Sequence, residues 1–236
     1  MPKIAFVEPQ APNLHIFSRY PQPRLGTFIL GTMMKQRGWE VEVFIEEFRK
    51  VDFDWLASAD LVGISTITST APRAYAIADR VRAAGGCVIM GGPHVTYLPE
   101  EALDHADFVI RGEGEDALAA FIDARERGDG WAAVPNLSYR DPAKNGTVVH
   151  NPLRPPCGDL DRLPFPDLTL LRPDGSGSRT LLSIPVQTSR GCPFDCSFCS
   201  VTGMFGRKFR FRSTENVIEE LRRYDSRKNI VFLIIR

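Results

Sequence analysis

The chain has 236 residues, with 29 Lys plus Arg against 29 Asp plus Glu and 43% hydrophobic residues. That balance gives no electrostatic reason to expect nucleic acid or an acidic membrane surface as the main partner. The composition is that of a globular protein able to bury a sizeable core.

The start, MPKIAFVEPQ, lacks the basic opening and long apolar stretch of a signal peptide. No apolar run approaches the roughly 20 residues that span a bilayer. A cytoplasmic protein is therefore the expectation. In that reducing setting clustered cysteines read as metal ligands or redox groups before disulfides.

Strands alternate with helices over the first part of the chain. KIAFVEP (3–9) is a short apolar run closed by a proline, as in a buried strand. From Gly26 to Arg37 a helical period puts Ile29, Leu30, Met33 and Met34 on one face, and Gly38 offers the stop. VEVFIEE (41–47) and DLVGIS (60–65) fit the second and third strands. Pro72 opens the next helix, with Ile77 and Val81 on one side and Gly85 and Gly86 at its end. CVIMGG (87–92) is a fourth strand entering a glycine turn, Pro99 begins a short acidic helix, and DFVIRG (107–112) is a fifth strand. Leu118, Phe121, Ile122 and Arg125 mark a last helix, closed by Gly128. This alternation predicts a doubly wound, Rossmann-like α/β domain over residues 1–130, with a parallel sheet covered on both faces.

The pattern then changes. PNLSYRD and TVVHN flank an Asn145-Gly146 pair, which signals a small hairpin. Residues 152–173 hold six of the 18 prolines, and DGSGSRT follows. Residues 131–180 therefore read as a hairpin and a proline-rich linker, ordered in places but outside the core. LLSIPVQTS (181–189) resumes as a strand, and a helix capped by Ser213 or Thr214 presents Val217, Ile218, Leu221 and Tyr224 inward. NIVFLII (229–235) is another buried-type strand, so 181–236 holds one βα unit and the start of the next.

The segment SRGCPFDCSFCS (189–200) carries three of the five cysteines, Cys192, Cys196 and Cys199. Three thiolates cannot close a tetrahedral structural zinc site, and nothing in the spacing of Cys157, His150 or Cys87 recommends them as a fourth ligand. Iron–sulfur clusters prefer thiolates, and a cube held by three leaves one iron open. A zinc knuckle is the competing reading.

The Cys-x3-Cys-x-aromatic-Cys run, directly after a predicted strand, resembles the signature of the radical S-adenosylmethionine (SAM) superfamily. The resemblance implies that Cys192, Cys196 and Cys199 hold a 4Fe–4S cluster and that Phe198 lies near the adenine of SAM. It implies one-electron cleavage of SAM to a 5′-deoxyadenosyl radical, with the protein supplying ligation, orientation and exclusion of water. The 181–236 segment would be the opening of a partial TIM-type barrel.

GIS (63–65), GGPHVTYLPEEAL (91–103) and RGEGE (111–115) fall after strands three, four and five, where doubly wound sheets bind ligands. Their order ahead of the cysteine run is similar to the cobalamin-binding domain of cobalamin-dependent radical SAM proteins. The resemblance spans essentially the whole chain. It makes Ser65, Thr66, Gly91, Gly92, Gly112, Gly114 and Glu115 candidate contacts to the corrinoid or its nucleotide tail.

An Asp-x-His-x-x-Gly motif that would supply an axial histidine is absent. His94 is open to two readings, lining the site or being satisfied by loop backbone. The loop over 12–26 is open to two readings as well, covering the corrinoid face or making a surface excursion. FGRKFRFR (205–212) reads as packing beside the cluster loop rather than as a nucleic-acid surface. Cys87 reads as core, and Cys157 has no evident partner in sequence.

The resemblance implies methyl transfer to an unactivated centre. It also implies a small-molecule substrate and a reductant such as flavodoxin or ferredoxin. A radical SAM cyclase and a non-catalytic cobalamin-binding or electron-transfer module are the alternatives. The short barrel segment leads to the expectation that the sequence is the front of a longer protein and inactive by itself.

Overall fold

In the computed structural model the described residues are 1–12, 22–171, 183–224 and 231–235. Most of the loop over 12–26, and the DGSGSRT stretch at 174–180, lie outside them.

The chain builds β1 (Lys3–Glu8), α1 (Leu25–Gln36), β2 (Glu40–Ile45), α2 (Phe53–Ala57), β3 (Leu61–Ser65) and α3 (Ala71–Ala83). It continues through β4 (Val88–Gly91), α4 (Pro93–Tyr97), α5 (Pro99–His105), β5 (Phe108–Ile110) and α6 (Glu115–Arg127). A hairpin of β6 (Leu137–Asp141) and β7 (Thr147–His150) follows. After the proline-rich segment come β8 (Ser183–Gln187), β9 (Ser189–Arg190), α7 (Val201–Phe205), β10 (Arg210–Phe211), α8 (Thr214–Arg222) and β11 (Val231–Ile235).

One sheet has the order β2-β1-β3-β4-β5-β6-β7. The first five strands are parallel, as the strand–helix alternation predicts, and the hairpin adds two antiparallel strands to the edge at β5. Asn145 and Gly146 both have positive φ, which the tight turn requires. The hairpin, expected in the connecting segment, thus extends the first sheet.

Alternate residues of β1 show that both faces are buried. Ile4 and Phe6 pack with Phe28 and Met34 of α1 and Phe121 and Ile122 of α6. Ala5 and Val7 pack on the other face with Ile77 and Val81 of α3 and Leu103 of α5. A strand covered on both sides needs a continuous apolar run, which is the pattern of IAFV.

Two expectations about packing are corrected. The proline-rich segment enters the core: Leu160, Leu168 and Leu170 are buried, and Leu168 and Leu170 belong to the cluster beneath α1. A side chain at Gly31 would meet Leu170 at 2.8 Å, so α1 is thinned there to admit the linker. In α8, Ser213 caps the helix by accepting from the Asn216 N–H at 3.2 Å, as predicted, but Ile218 is exposed. That helix is short and packs on the core through Val217, Leu221 and Tyr224, leaving Ile218 on its outer side.

β8 and β11 form a parallel pair and β9 and β10 an antiparallel one. Among the described residues no helix is long and apolar enough to cross a membrane.

Candidate cofactor cavity and cysteine loop

The strand ends of the sheet open into a cavity of about 440 Å³. Its floor is the end of each strand and the turn beyond it: Ser65 at the end of β3, Gly91 ending β4 with Gly92 next to it, and Gly112 and Gly114 after β5. Leu25, Gly26 and Leu30 of α1 form one side, and Gln187, Arg190, Met204 and Phe205 close it from the cysteine-bearing segment. The size is within the roughly 300–1,000 Å³ of small-molecule sites, and the walls are chiefly apolar.

Six of the seven residues named from sequence line this cavity: Ser65, Gly91, Gly92, Gly112, Gly114 and Glu115. Thr66 does not. It is fully buried behind the floor, where its backbone N–H donates to Gly91 at 2.8 Å and its carbonyl accepts from His94 at 3.3 Å. Gly92 has φ +101, and a Cβ there would lie 2.6 Å from the Thr66 carbonyl oxygen. Only glycine lets the turn pass so close to β3.

The rim carries charge. The Glu8 carboxylate, buried at the end of β1, accepts from the backbone N–H of Arg24 at 3.1 Å, from the Thr27 hydroxyl, and ion-pairs with Arg24 Nε at 3.4 Å. Burial pushes its pKa above the usual carboxylate value despite the opposing pull of Arg24. Arg24 donates from Nη2 to the Ser65 carbonyl at 3.2 Å, while its Nη1 is buried without a partner among the described residues. An apolar cavity with a glycine floor and an unspent guanidinium N–H at its edge suits a large, mainly apolar ligand bearing polar side groups.

Opposite, two acids meet two arginines. Arg190 donates to Glu115 at 2.6 Å and lies 3.4 Å from Glu113. Arg210 contacts Glu113 at 2.6 Å, and Glu113 also accepts the Cys157 backbone N–H at 2.8 Å. These side chains are between 5% and 11% exposed. Burial opposes the charge of Arg190, but the nearby carboxylates outweigh it and hold the guanidinium pKa above its usual value. Arg190, Arg210 and Glu113 were not singled out from sequence. The only hint was opposite charge in two quoted motifs, RGEGE and SRG.

The cysteine loop begins directly after Arg190. Gly191 has φ +88, and a Cβ on it would run into the Lys208 carbonyl. Cys192 N donates to Gly206 O at 3.1 Å, and Cys199 N donates to Cys196 O at 3.1 Å. All three thiols are free; Cys192 and Cys199 are partly exposed and Cys196 is exposed. Among the described residues no three His, Cys, Asp or Glu side chains form a metal-holding group, so these thiols share a loop without converging. As a donor set, three thiolates on one short loop fit an iron–sulfur cluster and not a hard cation. Phe198 is 90% exposed and stands outside the cavity.

His94 takes neither of its expected places. Its ring nitrogens lie 3.3 Å from Thr68 Oγ1, 3.1 Å from the Tyr75 hydroxyl and 3.4 Å from Glu101, so side chains hold it away from the cavity. Cys157 has partners after all: its Sγ receives Arg162 Nε at 2.9 Å and donates to Asp159 O at 2.9 Å. Cys87 packs against the core, where burial pushes its thiol pKa up. In the basic stretch at 205–212, Arg210 and Arg212 are turned inward to Glu113 and Glu220, while Phe209 and Phe211 are exposed.

Residues 18–122 match the B12 binding domain family, and residues 186–235 match the Radical SAM superfamily. An uncharacterized methyltransferase of Pyrococcus horikoshii is 35% identical over 84% of this chain and 45% of its own length. The bacteriochlorophyllide d C-8(2)-methyltransferase of Chlorobaculum tepidum is 31% identical over 80% of this chain and 39% of its own. The chain thus spans less than half the length of either relative. The radical SAM methyltransferase TsrM of Kitasatospora setae, solved with tryptophan and a SAM analogue, superposes with a TM-score of 0.75 at 20% identity. That superposition covers 99% of this chain and 48% of TsrM, and it shows a shared fold. With a B12-binding domain carrying the cavity and a radical SAM segment carrying the cysteine loop, the chain belongs to the cobalamin-binding radical SAM proteins.

Proposed function

We propose that the protein is a cobalamin-dependent radical SAM methyltransferase acting on a small molecule. The observation that carries the reading is the shared wall: Gln187, Arg190, Met204 and Phe205, from the cysteine-bearing segment, close the cavity that the glycine turns open. A corrinoid site and a cluster site in contact are what methyl transfer through two cofactors requires.

In this reading Cys192, Cys196 and Cys199 would hold a 4Fe–4S cluster, and Phe198 would lie near the adenine of SAM. Ser65, Gly91, Gly92, Gly112, Gly114 and Glu115 contact the corrinoid. When bound, the cofactors supply one-electron cleavage of SAM and a transferable methyl group. The chain's own part is to ligate, to orient and to exclude water. The glycine floor lets the backbone approach a flat ligand closely, Arg24 offers an N–H to a polar side group, and the apolar α1 face keeps solvent out. His94 is committed to Thr68, Tyr75 and Glu101, away from the cavity. Free cysteines agree with a reducing, cytoplasmic setting and with an external flavodoxin or ferredoxin as electron donor.

The test is anaerobic reconstitution of the full-length protein with iron and sulfide, followed by hydroxocobalamin, reductant and SAM. Formation of 5′-deoxyadenosine together with a bound corrinoid spectrum is expected. A corrinoid spectrum without SAM cleavage would favour a non-catalytic cobalamin-binding module.

A further inference from the structure

We infer that Glu113 and Glu115 are positioning residues that fix the cysteine loop against the cavity wall. Where this concerns the corrinoid and the cluster, it rests on the function proposed above.

β9 leads into the loop and β10 follows it, and the two pair over two residues only, with Arg190 directly opposite Arg210. So short a ribbon has little stability of its own, and like charges facing each other across an antiparallel pair repel. The ribbon stands because one carboxylate lies between them. The same oxygen of Glu113 is 3.4 Å from Arg190 and 2.6 Å from Arg210, and Glu115 takes Arg190 Nη2 at 2.6 Å while Nε donates to Gln187 at 2.8 Å.

Both acids come from the turn that forms the cavity floor, Glu113 between Gly112 and Gly114 and Glu115 as the first residue of α6. The strands before and after the cysteines are therefore pinned to the floor by the same two residues. The Cys192 N–H, bonded to Gly206 O, closes the loop above that anchor. With two cations and two anions, the group is neutral only while complete. Removing Glu113 leaves two guanidinium groups facing each other in a buried place, and removing Glu115 leaves two buried guanidinium groups with one carboxylate between them.

The experiment compares backbone hydrogen exchange in the 236-residue chain, without added cofactor, for wild type, E113Q, E115Q and D195N. Asp195 pairs with Arg207 at 3.0 Å on the exposed outer side of the same loop, both side chains 69% exposed, and serves as the control. Exchange over residues 191–209 is expected to rise roughly tenfold or more in E113Q and E115Q, with β3 and β4 unchanged and D195N like wild type. E115Q leaves the Glu113 bridge between the two arginines, so it provides the second variant if E113Q folds poorly. After loading with iron, sulfide and hydroxocobalamin and reduction with dithionite, which makes cobalt(II) and the reduced cluster paramagnetic, pulsed electron paramagnetic resonance should give one narrow cobalt-to-cluster distance in wild type and a broadened one in E113Q.

Unchanged exchange in the loop, or an equal rise across the sheet, would overturn the inference. A wild-type chain that takes up neither cofactor would sink the proposed function instead, while the exchange result would still decide the positioning role.

Discussion

Arg190 and Glu115, 75 residues apart in sequence, meet at 2.6 Å in a buried pair that joins the cysteine-bearing segment to the cavity floor. Removing one member of such a pair leaves an uncompensated charge out of water, which costs about 3–5 kcal/mol. Arg190→Met should lower stability by about that amount, measured by urea denaturation, and adding Glu115→Gln should restore part of the loss.

The sharp turn after β4 depends on a missing side chain. Gly92→Ala sets a Cβ against the Thr66 backbone at a φ of +101 and should cost about 1–3 kcal/mol in thermal denaturation. The same change at Gly26, with no described residue within 4 Å of its Cβ, should be tolerated or slightly stabilising.

The linker's leucines separate core from surface. Leu170→Ala should destabilise by about 2–5 kcal/mol, since Leu170 is 5% exposed against α1. Ile218→Ala, on the outer side of α8, should change stability by no more than about 0.5 kcal/mol.

Glu8 makes stability pH-dependent in a defined direction. Burial raises its folded pKa above the 4.5 of a free glutamate, so the folded chain holds a proton that the unfolded chain has released. The contribution is present in full below about 4.5 and is lost as pH rises through the raised folded value. Melting curves between pH 4 and pH 8 should show wild type losing ground to Glu8→Gln as pH rises (roughly the range over which carboxyl groups with raised pKa titrate). A difference between the two that does not change with pH would contradict this account.

Much of this was legible in the sequence, and the reasons differ by element. The parallel sheet follows from short apolar runs such as IAFV and VIM, which only a strand covered on both faces requires. The glycine turns were found because ligands sit at strand ends, and six of seven named residues reach one cavity. Buried Leu168 and Leu170 were not legible, because prolines around them carry a linker signal while burial depends on a gap at Gly31 in a distant helix. Nor was the Glu113–Arg210 contact, whose partners are 97 residues apart with no periodicity to connect them. Thr66 was misplaced for a local reason: it is the first residue beyond β3, and its backbone is tied to Gly91 and His94, which holds it behind the floor.

The cysteine loop can be separated from the cavity. Cys192→Ala, Cys196→Ala and Cys199→Ala should each lose iron–sulfur absorbance after reconstitution yet keep the corrinoid affinity of wild type, because none of the three lines the cavity.

Iron, sulfide and zinc analysis of the anaerobically reconstituted wild-type chain, read with its low-temperature paramagnetic resonance after reduction, bears most directly on the whole account. About four irons per chain and the signal of a reduced 4Fe–4S cluster are expected. Bound zinc, or no metal at the Cys192, Cys196 and Cys199 loop, would contradict it.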